Sequence, residues 1–331
     1  MEERSFKTLL VTGGAGFIGS NFIHYILKKY PEYKVINLDK LTYAGNLENL
    51  RDVEDNPNYM FIRGDIADKK IVDKIFDSRK IDAVINFAAE SHVDRSIEDP
   101  GIFIQTDIYG AYVLLEAMRK YNSGIFLQIS TDEVYGSIEK GSFKEEDPLK
   151  PNSPYSASKA GAEMIVRSFY KTYGTPVIIT RTTNNFGPYQ FPEKLIPLFI
   201  TNLIDNIKVP LYGDGMNVRD WIYVEDNCIA LDIILHRGRI GEVYNIGAGN
   251  EKQNIWITKK IIEIMGKSED MIEPVTDRPG HDRRYSVDCS KIKNEFNWNA
   301  IYDFEEALEK TVHWYINNED WWRPLIRRKY L

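Results

Sequence analysis

The sequence predicts an α/β protein: a doubly wound parallel sheet with a smaller, mixed α/β lobe in the C-terminal half. Three observations predict it. Short apolar runs alternate with helically periodic stretches through the N-terminal half, the pattern of strands buried on both faces and joined by crossover helices. A glycine-rich turn, Gly13-Gly14-Ala15-Gly16-Phe17-Ile18-Gly19, links the first run to the first helix. The second run ends in an acid, Asp39, twenty residues beyond Gly19.

Residues 7–12 read as the first strand, and residues 20–29 have helical periodicity. Between them, Gly14-x-Gly16-x-x-Gly19 fits a dinucleotide fingerprint, and Gly13, Gly16 and Gly19 repeat at three-residue spacing. Glycines permit a tight turn, close approach of backbone to pyrophosphate, and close helix–strand packing. The helix N-terminus adds unpaired N–H groups and a positive dipole end for the phosphates. Residues 34–38 form the second strand. Asp39 stands where a carboxylate meets the adenosine ribose, which favours NAD over NADP because a 2′-phosphate would be repelled. The sheet is therefore expected to be of Rossmann type. Residues 59–63 and 83–87 read as further strands and 69–78 as a helix; Ala88 and Ala89 then let a cofactor lie against the backbone. Residues 100–121 read as one long helix with a core stripe of Ile104, Ile108, Ala111, Leu115 and Met118.

Residues 125–130 are another buried strand, and Thr131-Asp132-Glu133 follows it. The carboxyl ends of strands are where open α/β sheets bind ligands. Two adjacent acids in one site cannot both ionise freely, so one keeps its proton near neutral pH. That supplies one acid and one base, as an elimination needs. After a polar loop, Tyr155 and Lys159 open a helix four residues apart, on one face. An ammonium one turn away stabilises a phenolate and lowers its pKa, and it can also donate to a ribose hydroxyl. An isolated Tyr-x-x-x-Lys carries little weight; here it follows a dinucleotide fingerprint and a strand-end threonine.

The C-terminal half places Asn184, Lys194, Arg219, Arg278 and Arg283 in expected loops, as amide and cationic donors suited to a diphosphate. Residues 223–226 and 243–246 read as strand-like, and residues 259–265 and 304–317 as helices. Trp321 and Trp322 are expected to pack back on the domain or on a partner. The 331 residues exceed the size of most single cores, so one large or two intimate domains are expected. A net charge of -7 argues against nucleic acid as the main partner. Two cysteines, Cys228 and Cys289, make no disulfide framework and suit a reducing cytoplasm. No Cys/His cluster has metal-ligand spacing, and the polar start of the chain suggests neither a signal peptide nor a membrane span.

The order glycine turn, strand-end threonine, Tyr155, Lys159 resembles the extended short-chain dehydrogenase/reductase family over essentially the whole length. Thr131-Asp132-Glu133 is similar to its sugar-nucleotide 4,6-dehydratases, as are residues 88–96, 184–189, 192–197, 219–221 and 277–284. Epimerase relatives usually carry small, uncharged residues at the two acidic positions. The resemblance implies catalysis by Thr131, Asp132, Glu133, Tyr155 and Lys159. It implies NAD contacts at Gly13, Gly16, Phe17, Ile18, Gly19, Asp39, Lys40, Thr42, Asp65, Ile66, Ala88, Ala89, Ser91, Thr106, Tyr155 and Lys159. Substrate contacts are implied at Ser91, His92, Thr131, Asn184, Lys194, Leu195, Pro210, Tyr212, Arg219, Asn254, Arg278 and His281; His92 reads equally well as a structural histidine. The expected substrate is dTDP-glucose, with UDP-, CDP- or GDP-linked sugars, a 4-epimerase, or a non-catalytic dinucleotide-binding protein as alternatives. Residues 1–186 are expected to form the NAD-binding domain, with later segments threading back, and residues 187–331 mainly the sugar-nucleotide lobe. A homodimer through the helices near 100–121 and 155–173 is implied as well.

Overall fold

The structure, a computed structural model, describes residues 3–328. Twelve strands occur among them: β1 Thr8–Thr12, β2 Lys34–Asp39, β3 Tyr59–Arg63, β4 Ala83–Asn86, β5 Ile125–Thr131, β6 Val177–Thr182, β7 Asn184–Phe186, β8 Val209–Tyr212, β9 Val218–Tyr223, β10 Val243–Ile246, β11 Glu251–Gln253 and β12 Ile272–Val275. Seven form one sheet in the order β10-β6-β5-β4-β1-β2-β3, with every pairing parallel. This is the Rossmann-type doubly wound sheet. The order in which strands are added reverses between β1 and β4, so a crevice opens at their carboxyl ends.

Alternate residues of each strand enter opposite cores. Leu9 and Val11 face a cluster with Phe22, Ile23, Leu231 and Ile234. Leu10 faces the other cluster, with Val72, Ile75, Leu114 and Val166. That two-residue period on a sheet covered on both sides is why the strands read as continuous apolar runs. β10 comes late in the chain yet pairs with β6, and the helix Val224–Arg237 packs on the first helix, Phe17–Lys29. A third core, with Phe199, Trp221, Ile257, Leu308, Tyr315 and Trp322, holds together much of the C-terminal half. Around it lie a three-stranded sheet, β11-β9-β7, and a two-stranded one, β12-β8.

Four local details differ from the sequence reading or refine it. Residues 100–121 are helical throughout, but Ile104–Tyr109 is a π-helical turn between Pro100–Phe103 and Gly110–Tyr121. Residues 223–226 are not a strand: β9 ends at Tyr223 and a helix begins at Val224. Glu225 and Asp226 sit in its first turn, where carboxylates complement the helix dipole, and Asp226 also accepts the Ile301 N–H at 2.8 Å. Asn184 and Arg219, expected in loops, lie in β7 and β9, and Pro210 and Tyr212 lie in β8. Trp321 and Trp322 pack inward, their indole N–H groups donating to Asn49 Oδ1 and Tyr315 O, each at 2.8 Å.

Candidate functional site

The glycine turn leaves β1 with Gly13 in the left-handed region, φ +67°. A Cβ there would lie 2.6 Å from Ala88 N, and one at Gly19 would lie 2.5 Å from Gly13 O. Both positions thus need glycine for close approach. The helix Phe17–Lys29 begins at Gly16 with no side-chain cap and no acid in its first turn. Its N-terminal N–H groups and dipole are therefore left for an anion. Asp39 Oδ2 accepts the Ala15 N–H at 2.9 Å and Oδ1 the Leu41 N–H at 2.8 Å. Burial pushes this carboxyl above its ordinary range while the two N–H groups pull it back. Beside it, Lys40 pairs with Asp65 at 2.7 Å. These groups line a cavity of about 300 Å³ that runs on to the end of β5. Every residue expected to contact the dinucleotide lines it, from Gly13 through Thr106 to Lys159.

At its inner end Thr131 caps a short 3-10 turn, Asp132–Tyr135. Its Oγ1 accepts the Glu133 N–H at 3.3 Å and donates to Asp132 Oδ1 at 3.2 Å. Asp132 Oδ2 is buried with no partner. Burial, then the neighbouring Glu133 charge, push the Asp132 carboxyl up to about 8, although Arg219 pulls it down. Burial also raises Glu133, opposed by Arg219, Arg278 and Lys194. Asp132 therefore keeps its proton at neutral pH, while the three cations favour the ionised form of Glu133 against its burial.

The helix Pro154–Tyr173 starts at a capping box on Ser153 with Pro154 in its first turn, which orients Tyr155 and Lys159. Burial, with the charges of Glu133 and Asp107, pushes the Tyr155 phenol well above its ordinary value; a hydrogen bond with Thr131 lowers it. The one-turn spacing from Lys159 alone therefore does not produce a phenolate. Lys159 Nζ donates to Ile129 O at 2.7 Å, and burial lowers its pKa while Asp107 and Glu163 raise it.

Of the residues expected to meet substrate, Ser91, Thr131, Asn184 and Lys194 line this cavity, and Lys194 Nζ donates to Ser91 O at 2.6 Å. Others gather on a rim beside it. Arg278 pairs with Asp94 at 3.1 Å, Tyr212 stacks edge-on with His281, and His281 pairs with Asp277 at 2.6 Å. Arg219 lies 4.2 Å over the Tyr285 ring. His92 caps the helix Val93–Glu98 and lies 3.6 Å from Glu193. Leu195 starts a helix, Pro210 lies in β8, and Asn254 opens another helix with Oδ1 buried and unpartnered. None of these four is in the cavity wall.

Two residues at the site escaped the sequence reading. Tyr285 donates to Asp282 Oδ2 at 2.7 Å and reaches Glu133 Oε2 at 3.4 Å. Asp107 is buried on the π-helical turn, accepting the Glu90 N–H at 2.9 Å and the Ser158 hydroxyl at 2.6 Å. Burial brings it to about 6. An acid inside an apolar helical stripe was the only signal for it.

The cavity suits NAD. It joins a glycine cradle and an uncapped helix end to a wall with buried, unpartnered oxygens on Ser130, Thr183, Asn184, Asn185 and Gln190. Such oxygens point to a polar ligand. A family model described as GDP-mannose 4,6 dehydratase matches residues 10–311. The chain belongs to this family. Among relatives within the 4,6 dehydratases, dTDP-glucose 4,6-dehydratase of Streptomyces antibioticus is 50% identical, over 97% of this chain and 96% of its own. The crystal structure of dTDP-glucose 4,6-dehydratase from Bacillus anthracis str. Ames in complex with NAD superposes with a TM-score of 0.91. It is 53% identical and covers 96% of this chain and 99% of its own. DesIV, a dTDP-glucose 4,6-dehydratase from Streptomyces venezuelae crystallised with NAD bound, gives 0.94 at 48% identity, with the same coverage.

Proposed function

We propose that this protein is a dTDP-glucose 4,6-dehydratase that converts dTDP-glucose to dTDP-4-keto-6-deoxyglucose and water. The observation that carries the reading is the protonated Asp132, its Oδ2 buried and unpartnered, beside Glu133 at the end of the dinucleotide cavity. The relatives' names supply the sugar nucleotide. Gly13, Gly16, Gly19, Asp39 and Asp65 would hold the NAD, and Tyr155 and Lys159 would border its reactive end. NAD supplies the hydride acceptor for C4 and donor for C6, and its positive ring joins Lys159 in favouring a Tyr155 phenolate.

Tyr155 takes the proton of the sugar 4-hydroxyl, whose oxygen Thr131 binds. The resulting ketone acidifies C5–H. Glu133 removes that proton, and Asp132 gives its own to the 6-hydroxyl, which leaves as water. Glu133 then returns a proton to C5, and the cycle closes when Tyr155 gives up the 4-hydroxyl proton and Asp132 takes one back, by exchange with solvent. Arg219, Arg278 and Lys194, all cationic toward Glu133, help keep it ionised for the abstraction. No net oxidation occurs, so the cofactor is regenerated in each cycle.

Residues 187–331 contribute most of the sugar-nucleotide side in this reading. A homodimer fits the exposed Ile102, Ile104, Tyr109 and Met164 on neighbouring helices. The buried free thiols Cys228 and Cys289 suit a cytoplasmic setting, and no helix among the described residues is long and apolar enough to cross a membrane. Incubation with dTDP-glucose and, separately, UDP-, CDP- and GDP-glucose tests the proposal. Proton NMR should show a 6-deoxy methyl signal from the dTDP sugar. A 4-epimer without that methyl would refute the dehydratase reading, and a methyl only from another nucleotide would refute the substrate.

A further inference from the structure

Three segments meet over the outer edge of the dinucleotide cavity: the loop 40–46 after β2, the helix Val93–Glu98, and the loop 187–194. Tyr43 sits at the junction. Its hydroxyl donates to Glu193 Oε1 at 2.8 Å. The Arg95 guanidinium lies 3.6 Å over its ring, and Phe191 meets the ring edge-on at 5.4 Å. Tyr43 and Arg95 line an outer groove of about 350 Å³, whereas Glu193 lines the inner cavity. Phe191 lines both. The Tyr43–Glu193 hydrogen bond therefore crosses the partition between groove and cavity.

The bond is a firm one. Burial, then the Glu193 charge, push the Tyr43 phenol far above its ordinary value, so it stays a donor at any working pH. A bond from a neutral donor to a carboxylate is stronger than one between neutral groups. The loop's root is also tied to the cavity. Leu41 has φ +57°, disfavoured for a residue with a Cβ, and its N–H donates to Asp39 Oδ1 at 2.8 Å. Asp39 is the carboxylate expected at the adenosine ribose. The loop is thus fastened at its root and its middle to groups that face the cavity, with a strained residue at its root where it can hinge.

We propose that Tyr43, gripped by Arg95 and Phe191 and tethered to Glu193, is the latch that retains the dinucleotide, setting its rate of release. This rests on the reading of the cavity as an NAD site. Retention suits a reaction that regenerates its cofactor within each cycle, since release between turnovers serves no step of it.

The test is the rate at which the purified holoprotein exchanges bound NAD for excess labelled NAD, followed by filtration. Tyr43→Phe keeps the ring and loses the tether, so release should quicken ~10-fold, as for loss of one hydrogen bond to a charged group. Tyr43→Ala also loses the stacking and should release faster still; if it does not fold, Tyr43→Phe alone decides. Leu47→Ala alters only the outer groove and should exchange at the wild-type rate. Release from Tyr43→Phe within about twofold of wild type overturns the latch. A wild-type protein that neither carries NAD nor binds it when added overturns the dinucleotide reading and the latch with it.

Discussion

Asp132→Asn should make the protein both more stable and nearly inactive. The buried carboxyl is held protonated up to about 8, against an ordinary 3.8. The unfolded chain ionises it from about pH 4 upward, so the folded state binds the extra proton. Folding stability from this group is complete below pH 3.8 and is lost as pH rises towards 8. By pH 7 the loss spans about three pH units at ~1.4 kcal/mol each, or ~4 kcal/mol. Asparagine keeps the shape and has no proton to lose. Its stability advantage, read from urea unfolding between pH 4 and 9, should grow with pH and level off above pH 8. Activity should fall ~10²–10⁴-fold, the usual share of a general acid. A variant no more stable than wild type at pH 7, or equally more stable at every pH, would refute the protonated acid. A variant that dehydrates at the wild-type rate would refute its role.

Glu133→Gln should leave the fold intact and cost ~10²–10⁴-fold in product formation; in D₂O the sugar should no longer exchange its C5 hydrogen, and continued exchange would assign that proton to another base. Gly13→Ala places a Cβ 2.6 Å from Ala88 N at a positive φ. The purified variant should melt lower and carry less NAD, and unchanged NAD content would show that the turn tolerates a side chain. Trp322→Ala removes a fully buried indole from the third core and should cost ~3–5 kcal/mol in urea unfolding. A cost under about 1 kcal/mol would mean that the tail is only loosely docked.

The cofactor side was legible in the sequence because its signals are local. Gly13 to Gly19, the strand ending at Asp39 and the four-residue step from Tyr155 to Lys159 each declare themselves within one strand–turn–helix unit. The acid pair was visible for the same reason, but which acid keeps the proton depends on burial and on Arg219, which lies in another sheet. Contacts made across the chain were not readable. Tyr285 meets Glu133, Asp94 meets Arg278, and Tyr43 meets Glu193, all more than a hundred residues apart. Asp107 was hidden differently. The stripe through Ile104 and Ile108 has ordinary helical spacing, and only the π-helical turn brings Asp107 beside Ser158 and the Glu90 N–H. Val224 was misread because β-branched and aromatic residues around it favour strand, while the carboxylates that start the helix follow it.

In the proposed reaction the hydride removed from C4 returns to C6 of the same sugar. The most direct measurement is incubation of the purified protein with dTDP-glucose deuterated at C4, without added NAD, and NMR of the product. The product should have a 6-deoxy methyl group carrying the deuterium, formed over many turnovers. Product whose methyl lacks the label, or formation only in proportion to added NAD, would contradict that reaction.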